Sequence, residues 1–225
     1  MEIVRGVHSI STGTSPFSGF PPPNVYLVLG HEEAVFIDSG YRNEDDVRLC
    51  LDYMADVGGP PVTQVILTHR HLDHIGGAAH FHRTTGAGLL SSLVEKPFIE
   101  AAFTDEDKPE IHEVVEDGET LDLGGLILEF VHVPGHTLGS VAVYARQMRV
   151  LFTGDTVLGR GSVSINPVEG DMTLYVQSLR RLMNLDLELI CPGHGPVVHD
   201  PQGKLKEQVN HRLRREIEVI QALRE

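Results

Sequence analysis

Residues 68–74 read Thr68-His69-Arg70-His71-Leu72-Asp73-His74, which places four candidate metal ligands within six residues. They follow Val65-Ile66-Leu67, an apolar, β-branched run with the pattern of a buried strand. If strand geometry continues past Leu67, His69 and His71 project to the same side, because alternate residues share a face. Asp73 and His74 then run into Gly76-Gly77, where the chain can turn tightly and start a helix. Imidazole and carboxylate are ligands for zinc and similar first-row metals. A polar loop that is His-rich by chance is the alternative, and a position directly after a core strand speaks against it.

The 225 residues suit one sizeable α/β domain over 1–225. No segment approaches the roughly 18 apolar residues of a membrane span. The start, Met1 to Gly6, lacks the charged and then apolar pattern of a secretory signal, so the expected compartment is cytoplasmic. Two cysteines provide no disulfide framework. Cys50 falls on the apolar face of an expected helix, whereas Cys191, just before Pro192-Gly193-His194, either packs or lies near a site. The net charge of -14, from 32 acids and 18 bases, works against broad capture of nucleic acid without excluding a local basic patch.

Alternation predicts strands at 3–10, 25–29, 34–38, 114–116, 119–121, 126–133, 140–144, 150–153 and 187–191. Helices are predicted after Asn43, over 78–85, from Asp171 or Thr173 to about 183, and over 203–223. The last carries a stripe of Leu205, Val209, Leu213, Ile217 and Ile220, expected to be buried. Residues 12–23 form a Gly/Ser/Pro loop with Phe17 and Phe20, which either pack beneath it or wall a cleft. Residues 95–112 read as exposed loop around a short helix that borders the cleft.

Three further places share one local design, an apolar strand followed by a glycine-bordered turn with one ligand. They are Pro134-Gly135-His136-Thr137, Thr153-Gly154-Asp155-Thr156 and Pro192-Gly193-His194-Gly195, offering His136, Asp155 and His194. Phe36-Ile37-Asp38-Ser39-Gly40 similarly puts Asp38 at a strand end. His80-Phe81-His82 imitates a ligand pair, but on a helix positions i and i+2 diverge. His132 is an ordinary strand position or a support for a ligand.

These motifs, Thr68-His69-x-His71-x-Asp73-His74, Pro134-Gly135-His136-Thr137-x-Gly139-Ser140, Gly154-Asp155-Thr156, Pro192-Gly193-His194-Gly195 and Phe36-Ile37-Asp38-Ser39-Gly40, together resemble the metallo-β-lactamase-fold hydrolase superfamily. The resemblance runs from about Asn24 to the end of the sequence. It implies a four-layer αββα sandwich with two mixed sheets and helices outside. It also implies two divalent metal ions, zinc first and manganese or iron as alternatives. His69, His71 and His136 would bind one, Asp73, His74 and His194 the other, with Asp155 bridging and Asp38 orienting a ligand histidine. The nucleophile would be a metal-bound hydroxide, and Asp73, as the acid beside it, would carry its proton to the leaving group.

Within the superfamily the sequence looks most similar to the β-lactamase-like protein 2 group, which implies metal-dependent cleavage of single-stranded RNA. The acidic charge ranks that endoribonuclease or phosphodiesterase reading second. Hydrolysis of a small ester, thioester or lactone ranks first, and a mononuclear iron persulfide dioxygenase third. Arg160, in Gly159-Arg160-Gly161-Ser162, either binds an anion near the metals or forms a salt bridge. Arg212, Arg214 and Arg215 are either a phosphate-binding face or the solvated side of the last helix.

Overall fold

The computed structural model describes residues 1–13, 21–104 and 107–224. Its elements begin with β1 (Glu2–Val4), β2 (Val7–Ser11), β3 (Asn24–Leu29), β4 (Ala34–Ile37), α1 (Glu44–Val57), β5 (Val62–Ile66), α2 (Leu72–Ile75), α3 (Ala78–Thr85), β6 (Gly88–Ser92) and α4 (Lys96–Ala101). There follow β7 (Glu113–Val115), β8 (Thr120–Asp122), β9 (Ile127–His132), β10 (Val141–Ala145), β11 (Val150–Gly154), α5 (Met172–Leu182), β12 (Leu189–Pro192) and α6 (Pro201–Ala222). Strands β1 to β7 make a sheet in sequence order, antiparallel as far as β4 and parallel from β4 to β7. The second sheet runs β12-β11-β10-β9-β8, with its parallel pair at β11 and β12.

Period-two alternation decides the layers. Tyr26 and Val28 of β3, Val35 and Ile37 of β4, Leu128 and Phe130 of β9 and Val141 and Val143 of β10 share one core between the sheets. Their neighbours face the other way. Val25, Leu27, Ala34 and Phe36 pack with Val47 and Cys50 of α1, Phe81 of α3 and Ile99 of α4. Val131, Ala142, Tyr144 and Leu151 pack with Tyr175 and Leu179 of α5 and Leu205 and Val209 of α6. The order is therefore helix, sheet, sheet, helix, the αββα sandwich expected from the motifs. The Asn43 side chain accepts from Asp45 N to cap α1, and Asp171, not Thr173, caps α5 by accepting from Leu174 N. Among the described residues no helix is long and apolar enough to cross a membrane.

Three local expectations are corrected. The single strand expected over 3–10 is an antiparallel pair, β1 and β2. Strand β5 ends at Ile66, so His69 and His71 converge through an irregular loop; His71 precedes α2, and Asp73 and His74 occupy that helical turn ahead of Gly76-Gly77. Leu205 and Val209 are buried, but Leu213, Ile217 and Ile220 are 36%, 54% and 42% exposed. Leu213 and Ile220 line an open groove with Met172 and Val176 of α5, so this part of the stripe faces its partner without being covered by it.

Candidate metal centre

Asp38 follows the last residue of β4 and adopts φ 60, a left-handed conformation that costs a non-glycine residue about 1 kcal/mol or more. Three contacts hold it there. Its Oδ1 accepts from Thr68 N at 2.8 Å, and its Oδ2 accepts from Thr68 Oγ1 at 3.0 Å and from His74 Nδ1 at 2.7 Å. Because the Thr68 hydroxyl donates to Asp38, its oxygen is free to accept from His69 Nδ1, 3.0 Å away. His136 Nδ1 donates to Ser164 O at 3.0 Å, and His194 Nδ1 donates to Pro21 O at 2.9 Å. These acceptors assign the outward N–H of four rings and turn each Nε2 inward.

His71 is turned the other way round. Its Nδ1 lies 3.1 Å from His69 Nε2 and 3.0 Å from His136 Nε2, while its Nε2 is 3.4 Å from Glu169 Oε1. His74 Nε2 and His194 Nε2 approach to 3.3 Å, and Asp73 Oδ2 is 3.1 Å from His194 Nε2. Asp155 lies between the two sets. Its Oδ2 is 3.7 Å from His136 Nε2, and its Oδ1 is 3.4 Å from His74 Nε2 and 3.6 Å from His194 Nε2. Two groups result, His69, His71, His136 and Asp155, and Asp73, His74 and His194, with the donor atoms of each within 4.8 Å of one another.

The glycine of the last motif has a steric reason. A Cβ on Gly193 would stand 2.5 Å from Asp155 Oδ1 and 2.7 Å from His74 Cε1. Only glycine lets the β12 turn approach the carboxylate this closely.

Burial holds His69 well below the usual imidazole range, and the surrounding imidazoles push the same way. Burial also lowers His136, although Asp155 opposes it. For His74 burial acts downward but is outweighed by Asp38 and Asp155, which raise it well above its ordinary value. His194 is likewise raised, against burial, by Asp73 and Asp155. Burial alone would raise Asp155, yet His74, His194 and His136 keep it far below the carboxylate range. One side of the cluster thus presents neutral lone pairs, and the other favours any positive charge placed between its nitrogens and carboxylates.

Such a set fits divalent cations. Electron-rich nitrogens converge at 3.0 to 3.3 Å, and the buried Asp155 Oδ1 has no hydrogen-bond partner.

Every candidate ligand read from the sequence is brought to this one place, with Asp38 behind His74. Arg160 follows Gly159, whose N donates to His194 O, so it flanks the His194 turn; it is exposed and makes no ion pair among the described residues. Phe17 and Phe20 lie outside the described residues. His82 Nδ1 donates to Ala87 O away from the cluster, and His132 takes no part in it. Arg212 is half-buried, donating to Val163 O with its guanidinium carbon 5.2 Å from the centre of the Tyr175 ring, whereas Arg214 and Arg215 are exposed and Arg215 pairs with Glu218.

Four supporting residues escaped sequence reading. Glu95, in the 95–112 stretch, is fully buried and bonds Arg70 through both oxygens. Asn24 and Tyr26 of the first sheet both donate to Pro192 O and so tie the His194 turn to it. Glu169 reaches His71 from the loop before α5. None carries a local signal, because each acts on a residue at least 25 positions away.

An αββα sandwich with two His/Asp groups at one edge defines a class of metal-centre proteins. The chain belongs to the metallo-beta-lactamase superfamily, whose family model matches residues 18–194. It is 29% identical over 205 residues to the Beta-lactamase-like protein 2 homolog of Caenorhabditis elegans, covering 90% of this chain and 65% of that protein. It is 30% identical over 204 residues to the Atrochrysone carboxyl ACP thioesterase of Aspergillus fumigatus, covering 89% of this chain and 59% of that one. The chain thus spans about three-fifths of the length of these two relatives. Among solved structures, a Beta-lactamase domain protein from Burkholderia ambifaria superposes with a TM-score of 0.84 at 25% identity, over 99% of this chain and 75% of the other.

Proposed function

We propose that the protein is a dinuclear metal-dependent hydrolase acting on a small thioester, ester or lactone, with zinc the ion best suited to its imidazole and carboxylate donors. One observation carries the reading: the two oxygens of Asp155 face different groups, Oδ2 toward His136 and Oδ1 toward His74 and His194. Two divalent ions bound there would supply an activated water and polarise the acyl oxygen. His69, His71 and His136 would hold one, and Asp73, His74 and His194 the other. Asp38 orients His74 directly and His69 through the Thr68 hydroxyl.

Asp73 is the carboxylate that remains partly open, with 21% of its side chain exposed. It takes the proton of the attacking water and delivers it to the leaving sulfur or oxygen. The acyl–sulfur or acyl–oxygen bond breaks, the water oxygen joins the acyl carbon, and the products are a carboxylic acid and a thiol or alcohol. The Aspergillus relative named as an ACP thioesterase supports an acyl substrate. The net charge of -14 favours it over RNA.

Elemental analysis alongside thioester, lactone, phosphodiester and RNA substrates tests this reading. About two metal ions per chain and acyl hydrolysis are expected, and Asp73→Asn should lower kcat by about 100-fold or more. One iron per chain, RNA cleavage that disappears in His69→Ala, or near-normal turnover by Asp73→Asn with both metals retained would each contradict it.

A further inference from the structure

We propose that the apolar side chains along the His71 edge of the metal centre form an acyl-binding ledge, which orients the substrate with its acyl chain here and its leaving group toward His194. The inference rests on the hydrolase reading and deepens it by naming the substrate class, an acyl thioester or ester with a medium-length apolar chain.

Backbone and ring contacts bring its members to the same edge. Leu72 directly follows His71. Glu169, 3.4 Å from the His71 ring, accepts from Leu138 N through its backbone carbonyl, which places Val168 beside Leu138. A Cβ on Gly139 would lie 2.8 Å from Val94 Cβ, so Val94 adjoins the Leu138 turn. Phe98 completes the surface under Arg70, whose guanidinium carbon is 3.5 Å from the centre of its ring. Leu72, Val94, Phe98, Leu138 and Val168 are all exposed, Val168 by 90%. An exposed apolar cluster beside a catalytic centre marks a binding surface.

Its electrostatics select the ligand. Arg70, the basic side chain within the ledge, is only 11% exposed and bound to Glu95, while Glu169 adds an acid at the rim. An anionic group would meet repulsion here, whereas an alkyl or aryl chain loses nothing. The opposite edge, beyond His194, carries the exposed Arg160, which suits an anionic leaving group such as a phosphate-bearing thiol carrier.

The test separates binding from turnover. S-ethyl and S-octyl thioethers of N-acetylcysteamine, which cannot be hydrolysed, are titrated into the zinc-loaded protein by calorimetry. A one-sided ledge should give about twofold tighter binding per added methylene, so the octyl compound should bind more than about 30-fold tighter. Leu138→Ser combined with Val168→Ser should reduce that ratio below about fivefold, whereas Ile127→Ser, an exposed apolar position elsewhere, should leave it unchanged. The octanoyl-to-acetyl ratio of kcat/KM for the thioesters should follow the same pattern. Equal binding of the two thioethers, or a ratio unaffected by the double substitution, overturns the ledge. So does binding of the protein to neutral phosphatidylcholine vesicles that the double substitution abolishes, which would assign the surface to a lipid bilayer. Chain-length-dependent binding with no hydrolysis of any thioester, ester or lactone would leave the ledge standing and remove the hydrolase reading alone.

Discussion

Arg70 separates the two histidines of the motif, and its side chain points away from them into a buried pair with Glu95. Glu95 Oε2 accepts from Arg70 N at 2.9 Å and from Arg70 Nε at 2.7 Å, and Oε1 accepts from Arg70 Nη2 at 2.8 Å and Gly139 N at 2.9 Å. One carboxylate therefore fixes the backbone between His69 and His71 and also the backbone three residues after His136. Removing one partner of such a pair strands a buried charge, which costs about 3–5 kcal/mol. Glu95→Leu should lower the unfolding free energy by that amount in urea titrations. Adding Arg70→Met to it should recover a large part, because an apolar pair of similar volume is often tolerated in place of a buried ion pair. The ligand residues themselves were legible as residue types at strand ends. Glu95 was not, because a glutamate before Lys96-Pro97 reads as loop surface, and its burial depends on tertiary contacts 25 and 44 positions away.

At the level of elements, α6 separates what a pattern predicts from what packing provides. Its apolar spacing correctly placed a helix with one apolar face, yet periodicity carries no information on whether a neighbour covers each turn. Leu205 and Val209 lie against the second sheet, and Leu213 and Ile220 then face α5 across an open groove. Leu205→Ala should cost about 2–5 kcal/mol, whereas Ile217→Lys should change stability by less than about 0.5 kcal/mol, measured by the same urea titrations. Strands with apolar residues on both faces, such as β3, β4 and β10, were read with small boundary errors, because both sheets are covered on both sides. The strand read to Leu67, β5, ends at Ile66, and the continuation that would have aligned His69 with His71 does not occur. Its pairing with β6 stops, and the loop that follows is shaped by ligand side chains instead of a ladder.

For the whole molecule, the metal groups join the two sheets: His69, His71, Asp73 and His74 extend from the first, and His136, Asp155 and His194 from the second. Cations bound by this set act only on the folded chain, so zinc should raise the melting temperature, and EDTA should lower it toward that of His69→Ala. At a zinc concentration 100 times the dissociation constant the stabilisation should be about 2.7 kcal/mol, read by calorimetry. The thiols give an independent probe of the same closure. Cys50, pushed up to about 12 by burial, and Cys191, raised further by the same cause, should both resist alkylation until the protein unfolds.

The union of Asp155 and His194 with the motif of residues 68–74 also sets an order of events during synthesis. The first sheet can pair strand by strand as it leaves the ribosome, but its histidines then wait, preorganised by Asp38, for a turn encoded far downstream. Until Gly193 and His194 have emerged and β12 has joined β11, the group of Asp73, His74 and His194 lacks a member, although His69, His71, His136 and Asp155 have already been made. Metal acquisition at the second group is thereby deferred until residue 194 has been made, and an arrested chain that ends before β12 would have no complete second site.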